Sequence, residues 1–152
     1  MRSLPACAAR SQSRRLGAKV GDLIVSLHVA TGAAGGSLVS SRLGSLPLGL
    51  LLHLAGDWMP HEDIPDRRFE IGSGIAAVLL LAAVRGPFDP AVTGALAASS
   101  PDIEHVVRLL RPGGRKLFPS HRFHGWHRSG GIPAPAQLVL AGFLIGVLLR
   151  RP

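Results

Sequence analysis

The chain reads as all-α, a membrane-embedded bundle of about five short helices, and three observations predict this. The 152 residues are 47% hydrophobic and only 17% charged. A soluble globular chain carries roughly 25% charged residues, and the mean hydropathy here is +0.31. The apolar residues fall into five runs rich in Ala, Leu and Gly, with little of the period-two alternation that marks strands. Gly (19) and Pro (12) are abundant, and membrane helices accept Gly more readily than soluble ones do.

The elements follow in order. Residues 1–20 are rich in Arg, Ser and Ala and lack acidic side chains. A transit peptide or an over-extended start has this composition, and no apolar core of a secretory signal is present within it. We read it as a disordered basic arm preceding a helical membrane domain over 21–152. The apolar runs are 23–39, 46–54 extending to Trp58, 71–84, 90–110 and 135–149. Pro90 and Pro135 stand where first-turn prolines belong, and Pro112-Gly113-Gly114 is expected to stop the fourth helix. Gly32/Gly36 and Gly142/Gly146 have the spacing that lets helices approach closely. The runs are short beside the roughly 20 residues a spanning helix needs. Either flanking turns extend them or the bilayer thins around them. A buried soluble bundle is the other reading.

Charge sets an orientation. With the N-terminus cytoplasmic and all five runs crossing, only Arg42, Arg85, Arg150 and Arg151 of the 17 Lys and Arg lie outside. That is the asymmetry of the positive-inside rule, and it predicts a multi-pass protein of the cell inner membrane with the phospholipid bilayer as its partner. The net charge of +8 could instead serve nucleic acid. No nucleic-acid motif is present, and aromatic residues are 5% of the chain, so no nucleic acid is expected. The single cysteine, Cys7, excludes an internal disulfide and a cysteine-based zinc site.

The chemistry-bearing residues converge on the cytoplasmic side. The seven histidines are His28, His53, His61, His105, His121, His124 and His127. His53 and Asp57 are four apart and share a helical face, as do Asp102 and His105, three apart. In the topology above, the first helix starts on the cytoplasmic side and the second and fourth end there. His28, His53, Asp57, His61, Asp102 and His105 then meet the loop carrying His121, His124 and His127. Ionisable groups at membrane depth are costly and mark functional sites. Imidazoles with carboxylates suit a divalent transition metal. Zinc is the default, one ion or two, because three protein ligands and a water make a catalytic site in which the water becomes a nucleophile near neutral pH.

Other readings stand beside these. His28 alone is as readily a hydrogen-bonded packing residue, and Asp102 a turn cap after Ser99-Ser100-Pro101. Glu104 is expected to face solvent, and Asp63 and Asp66 to serve the turn around Pro65. Arg122 and Arg128 could grip a phosphate or an anionic lipid headgroup, and Arg122 could offset charge on a phosphoryl group; equally, both are ordinary cytoplasmic cations. Ser129 has no base assigned to it as a nucleophile.

The stretch Ser100-Pro101-Asp102-Ile103-Glu104-His105, followed by His121-Arg122 and His127, with an early His28, resembles the membrane-bound metal-dependent hydrolase family of bacteria (the YdjM-like, LexA-binding inner-membrane-associated group). The His53/Asp57 pair is similar to the helical His/Asp pairs of zinc-dependent phospholipase C and P1-type nucleases. The resemblance covers roughly 22–130. It departs from the family pattern at Glu104, in place of a second Asp, and in the His121–His127 spacing. It implies a metal site on an all-helical fold, with hydrolysis of a phosphoester or lipid as the expected activity. A non-catalytic protein binding or transporting metal is the alternative. A haem bundle, with two histidines facing each other at mid-membrane, fits the clustering at helix ends less well.

Overall fold

The computed structural model describes residues 25–126, 128 and 130–150. The basic arm, His127 and Ser129 lie outside the described residues. Five long helices form the bundle: α1 (Val25–Val39), α2 (Arg42–Trp58), α3 (Arg67–Arg85), α4 (Pro90–Ser99) and α7 (Ala134–Leu149). Two single turns, α5 (Ile103–Val106) and α6 (Pro119–Arg122), lie in the long connection between α4 and α7. There is no strand among the described residues, only an isolated bridge between His61 and Ile132. No described helix is long and apolar enough to cross a membrane.

Local chemistry sets the helix starts. The Ser41 hydroxyl accepts from Gly44 N at the start of α2. Asp66 accepts from Arg68 N and Phe69 N at α3, which agrees with its reading as a turn residue. Asp89 accepts from Ala91 N at 2.7 Å and Pro90 takes the first position of α4. Each cap satisfies an amide that the helix leaves without a partner. Gly86, at φ +90°, ends α3 in a conformation that only glycine adopts easily.

α1 is the central helix, packed against α2, α3, α4 and α7. Its approach to α4 rests on missing side chains. A Cβ on Gly32 would stand 2.4 Å from Gly94 O, one on Gly36 2.1 Å from Pro90 O, and one on Gly94 2.2 Å from Gly32 O. The predicted Gly32/Gly36 pair therefore lies in a helix contact. Gly142 and Gly146 do not: a Cβ on either meets open space. Val29, Ala33, Leu81, Val92, Ala95 and Ile145 are among the residues that close the core.

The expected fourth helix over 90–110 ends early, at Ser99. A 3-10 turn over Ser100–Asp102 follows, then α5 and two further 3-10 turns. Pro101 has no amide proton to donate to the helical ladder, and Ser100 stays helical in a tighter 3-10 turn. The break turns Asp102, Glu104 and His105 back across the end of the bundle.

That end gathers the start of α1, the end of α2, the start of α3 and the end of α4. Val25 N donates to Glu70 Oε2 at 2.9 Å, and His53 bonds Ala98 O. At the other end Gly36 meets Pro90, Arg85 donates to Leu148 O, and Arg42 lies over Phe88.

Candidate metal centre

His53 and Asp57 lie one turn apart on the buried face of α2, 0% and 1% exposed. The His53 Nδ1 donates to Ala98 O at 2.7 Å. With its proton committed there, Nε2 presents a lone pair. His121, on α6, is held the same way by a different partner. Its Nδ1 donates to Glu104 Oε1 at 2.6 Å, and its Nε2 lies 3.2 Å from that of His53. In the neutral tautomers that these partners favour, both Nε2 atoms would offer a lone pair to a shared cation. The tautomers follow from the partners of the opposite nitrogens. A carbonyl or carboxylate behind each ring is how metal-ligating histidines are commonly oriented.

Asp57 completes the arrangement. Its Oδ2 lies 3.1 Å from His53 Nε2 and 3.3 Å from His121 Nε2. The three atoms form a nearly equilateral triangle with edges of 3.1, 3.2 and 3.3 Å. Ligand atoms bound at about 2.0 Å around a tetrahedral zinc stand about 3.3 Å apart. The triangle therefore has the size of one face of such a tetrahedron, and it leaves the fourth corner to a further ligand. Ser120 Oγ donates to Asp57 Oδ2, and His28 Nε2 approaches Oδ1 at 3.2 Å. Gly56 gives the His28 ring its place, since a Cβ there would meet the ring at 2.8 Å.

Two further sets of ligand atoms overlap this one. His28, His53 and Asp102 form the first, and Asp102, His105 and His121 the second. Asp102 lies 3.9 Å from His53 Nδ1 and 3.8 Å from His121 Nε2. Sharing His53, His121 and Asp102, the six residues make one continuous centre. Asp102 Oδ2 and His105 Nε2 are buried with no hydrogen-bond partner. Buried polar atoms are nearly always satisfied, and a cation would satisfy both. Burial pushes the Asp102 carboxyl up, against the pull of His28 and His53, while Asp57 adds to the push. Burial holds the His105 imidazole down to about 3, with His121, Lys116 and Arg111 adding to the effect. His105 is therefore neutral and able to ligate across the physiological range.

The structure separates the sequence candidates. It brings together His28, His53, Asp57, Asp102, His105 and His121. His61 is buried but stands apart from these sets; its Nδ1 donates to Met59 O at 2.6 Å, and its Nε2 lies 3.7 Å from Asp63. Residue 61 follows Pro60 beyond the end of α2, which carries it away from the face shared by His53 and Asp57. His124 is exposed, because the chain leaves α6 after Arg122 and turns outward. Arg122 is exposed too, its guanidinium over the Phe123 ring, and it borders a pocket with Arg115, Lys116 and His121.

Glu104 does not face solvent as expected. It is 5% exposed, one carboxylate oxygen accepting from His121 Nδ1 and the other from Leu117 N at 2.7 Å and Phe118 N at 3.4 Å. Sequence reasoning also passed over Ser120 and Glu70. Glu70 is fully buried at the start of α3 and binds the first amide of α1. Its signal was a Glu between Phe69 and Ile71 at the edge of the third apolar run.

Compared with protein-family models, with curated proteins and with solved structures, the chain matches none.

Proposed function

We propose that the chain is a metal-dependent hydrolase of phosphoesters, acting at the cytoplasmic face of a cell inner membrane. The observation that carries this reading is the triangle of His53 Nε2, His121 Nε2 and Asp57 Oδ2, three potential ligand atoms at the edge spacing of a tetrahedral ligand face. A closed set of four protein ligands would suit a structural metal, whereas three and an open position suit catalysis. A divalent metal, with zinc the best fit to imidazole and carboxylate, would supply a Lewis acid and an activated water. His28, Asp102 and His105 extend the ligand set toward a second ion. Glu104 and Ala98 O hold the two ligating imidazoles in register. Arg122, Arg115 and Lys116 border His121 and would offset charge on a phosphoryl group. The combination of an early His28, the Pro101-Asp102 turn and the His121-Arg122 segment supports kinship with the bacterial membrane-bound hydrolases that the sequence resembles.

Membrane embedding rests on the surface. Leu43, Leu51 and Trp58 on α2, Ile75 and Leu79 on α3, and Val139 and Phe143 on α7 are all exposed. Arg67, Arg108, Arg111, Arg115, Lys116, Arg122 and Arg128 belong to segments at the end that holds the centre, while Arg42 and Arg85 lie at the other. The longest of these helices, 19 residues in α3, measures about 28 Å at 1.5 Å per residue, so the bilayer would thin around the bundle.

Elemental analysis of the purified protein tests the centre. At least one equivalent of metal is expected, lost in His53→Ala and Asp57→Ala. Metal-free protein, or content unchanged by both substitutions, removes the reading. Metal retained without turnover of any phosphoester favours the non-catalytic alternative of metal binding or transport.

A further inference from the structure

An apolar cleft shares Asp102 with the candidate metal centre, and a cationic pocket shares His121 with it. The cleft has a volume of about 430 Å³ and runs between α1, α3 and the end of α4, past Val29, Ile75, Val78, Leu96 and Val106 to Asp102. Its lining is hydrocarbon except for Ser99 and Asp102. The pocket, of about 400 Å³, is bordered by Arg115, Lys116, Arg122 and His121. Asp102 borders the cleft and His121 borders the pocket, and the two side chains approach to 3.8 Å. Both belong to the same set of candidate ligands.

We propose that the substrate is an amphiphilic phosphomonoester, with one long hydrocarbon chain in the cleft and a dianionic phosphate at the centre facing the cationic pocket. This deepens the hydrolase reading and rests on it. The cleft is within the size range of small-molecule sites but offers a polar headgroup nothing to bind apart from its two polar residues. Three cationic side chains beside a divalent ion match a doubly charged terminal phosphate better than a zwitterionic diester, which carries one phosphate charge and its own cation. The chemistry balances with water alone. The water oxygen bonds to phosphorus, the bond from phosphorus to the chain-bearing oxygen breaks, and one water proton passes to that oxygen. A long-chain alcohol and inorganic phosphate leave. Asp102, between cleft and centre, is placed beside the oxygen that departs.

The test uses the full chain in phosphatidylcholine nanodiscs, with metal content measured on each sample. Hexadecyl phosphate should be hydrolysed with a kcat/KM at least ~10-fold above that of ethyl phosphate, a ratio that burial of only two methylenes would produce. Ile75→Trp, a substitution at a half-exposed position, narrows the cleft and should collapse that ratio while metal content is kept. A hexadecyl phosphate carrying a photoreactive group in its chain should label α3 and α4 residues of the cleft. Unlabelled hexadecyl phosphate should suppress the labelling although phosphatidylcholine is in excess. Equal rates on the two phosphomonoesters overturn the inference and leave the hydrolase standing, as does faster cleavage of phosphatidylcholine. If no metal is bound and neither substrate turns over, the hydrolase reading fails by itself. The photolabel then decides the cleft, and labelling scattered outside it overturns the proposal there too.

Discussion

The two ends of the bundle are built from the same helices and solve opposite problems. At one end α1 and α4 touch through Gly36, Pro90 and Gly94, and the space between helices is filled by small and branched apolar residues such as Ala91, Leu81 and Leu148. At the other end the same two helices, with α2, enclose His28, His53, Asp57 and Asp102, every one of them no more than 5% exposed. Burying polar groups in this number costs far more than burying hydrocarbon unless they find partners. The apolar end is the kind of packing that supplies stability. The polar end draws on that stability, and its unpartnered Asp102 and His105 atoms point to a ligand that repays the cost. Substitutions at the two ends should therefore separate: one set alters metal binding, the other alters folding.

The largest effect is expected at the triangle. His53→Ala or Asp57→Ala removes one of three converging ligand atoms and should weaken metal binding by more than ~100-fold, since even residues behind the ligands contribute 10- to 100-fold. Competition with a chromogenic chelator measures it, and a loss under tenfold for both would leave the triangle without a role. Next comes Glu104, which touches no ligand atom of the triangle yet fixes the His121 tautomer. Glu104→Ala should cost ~10- to 100-fold in metal affinity. Glu104→Gln should cost less, because its amide oxygen still accepts from Nδ1. Gly94→Ala marks the apolar end. Its Cβ would stand 2.2 Å from the Gly32 carbonyl, and overpacking against backbone should destabilise the fold by about 1–3 kcal/mol. Denaturation of the metal-free protein reads this out, and metal affinity in the folded fraction should stay near wild type.

What the sequence made legible follows the same division. Periodic apolar runs placed α1, α3 and α7 within a few residues, because packing and helix caps act locally. The fourth run misled: 90–98 is apolar apart from Thr93 and apolar residues return at 106–110, but a proline without an amide proton ends the α-helical ladder at Ser99. Convergence of His28, His53, Asp57, Asp102 and His105 could be read from helix direction alone, since antiparallel neighbours must return their ends to the same level. His121 could be told from His124 only through Glu104, which draws one loop histidine inward, and that contact spans 17 residues of irregular chain. Glu104 itself looked like a solvent-facing residue of a helix that does not continue. His61 shows the converse: proximity in sequence to Asp57 did not bring it to the cluster once Pro60 had ended α2.

Acidity should divide the ligands further. Ligands must be deprotonated to bind, so metal affinity rises with pH by up to about tenfold per unit for each proton displaced. Two of the three candidate ligands outside the long helices, Asp102 and His105, differ in sign. Burial raises the Asp102 carboxyl, so it keeps its proton to higher pH in the metal-free protein and releases it on binding. His105, held down to about 3, has no proton to give up above about pH 5. Asp102→Asn should thus lower affinity and flatten its pH dependence, whereas His105→Asn should lower affinity and leave the slope alone. Calorimetry in buffers of different ionisation enthalpy counts the protons released, and equal counts in the two variants would contradict the assignment.

The smallest effect concerns α7, which contributes to the core but to none of the three ligand sets. Gly142 is exposed and a Cβ there meets nothing within 4 Å, so Gly142→Ala should stabilise the helix by roughly 0.5–1 kcal/mol through backbone entropy alone. Thermal unfolding should shift upward by about 1–4 °C for a chain of this size, with metal affinity unchanged. The Gly94 and Gly142 substitutions are chemically identical and should move stability in opposite directions, because only one of the two glycines lies where helices touch. A loss of stability at Gly142 would show that this face meets another surface, a second copy or a neighbouring helix, for which its small-residue spacing with Gly146 is suited.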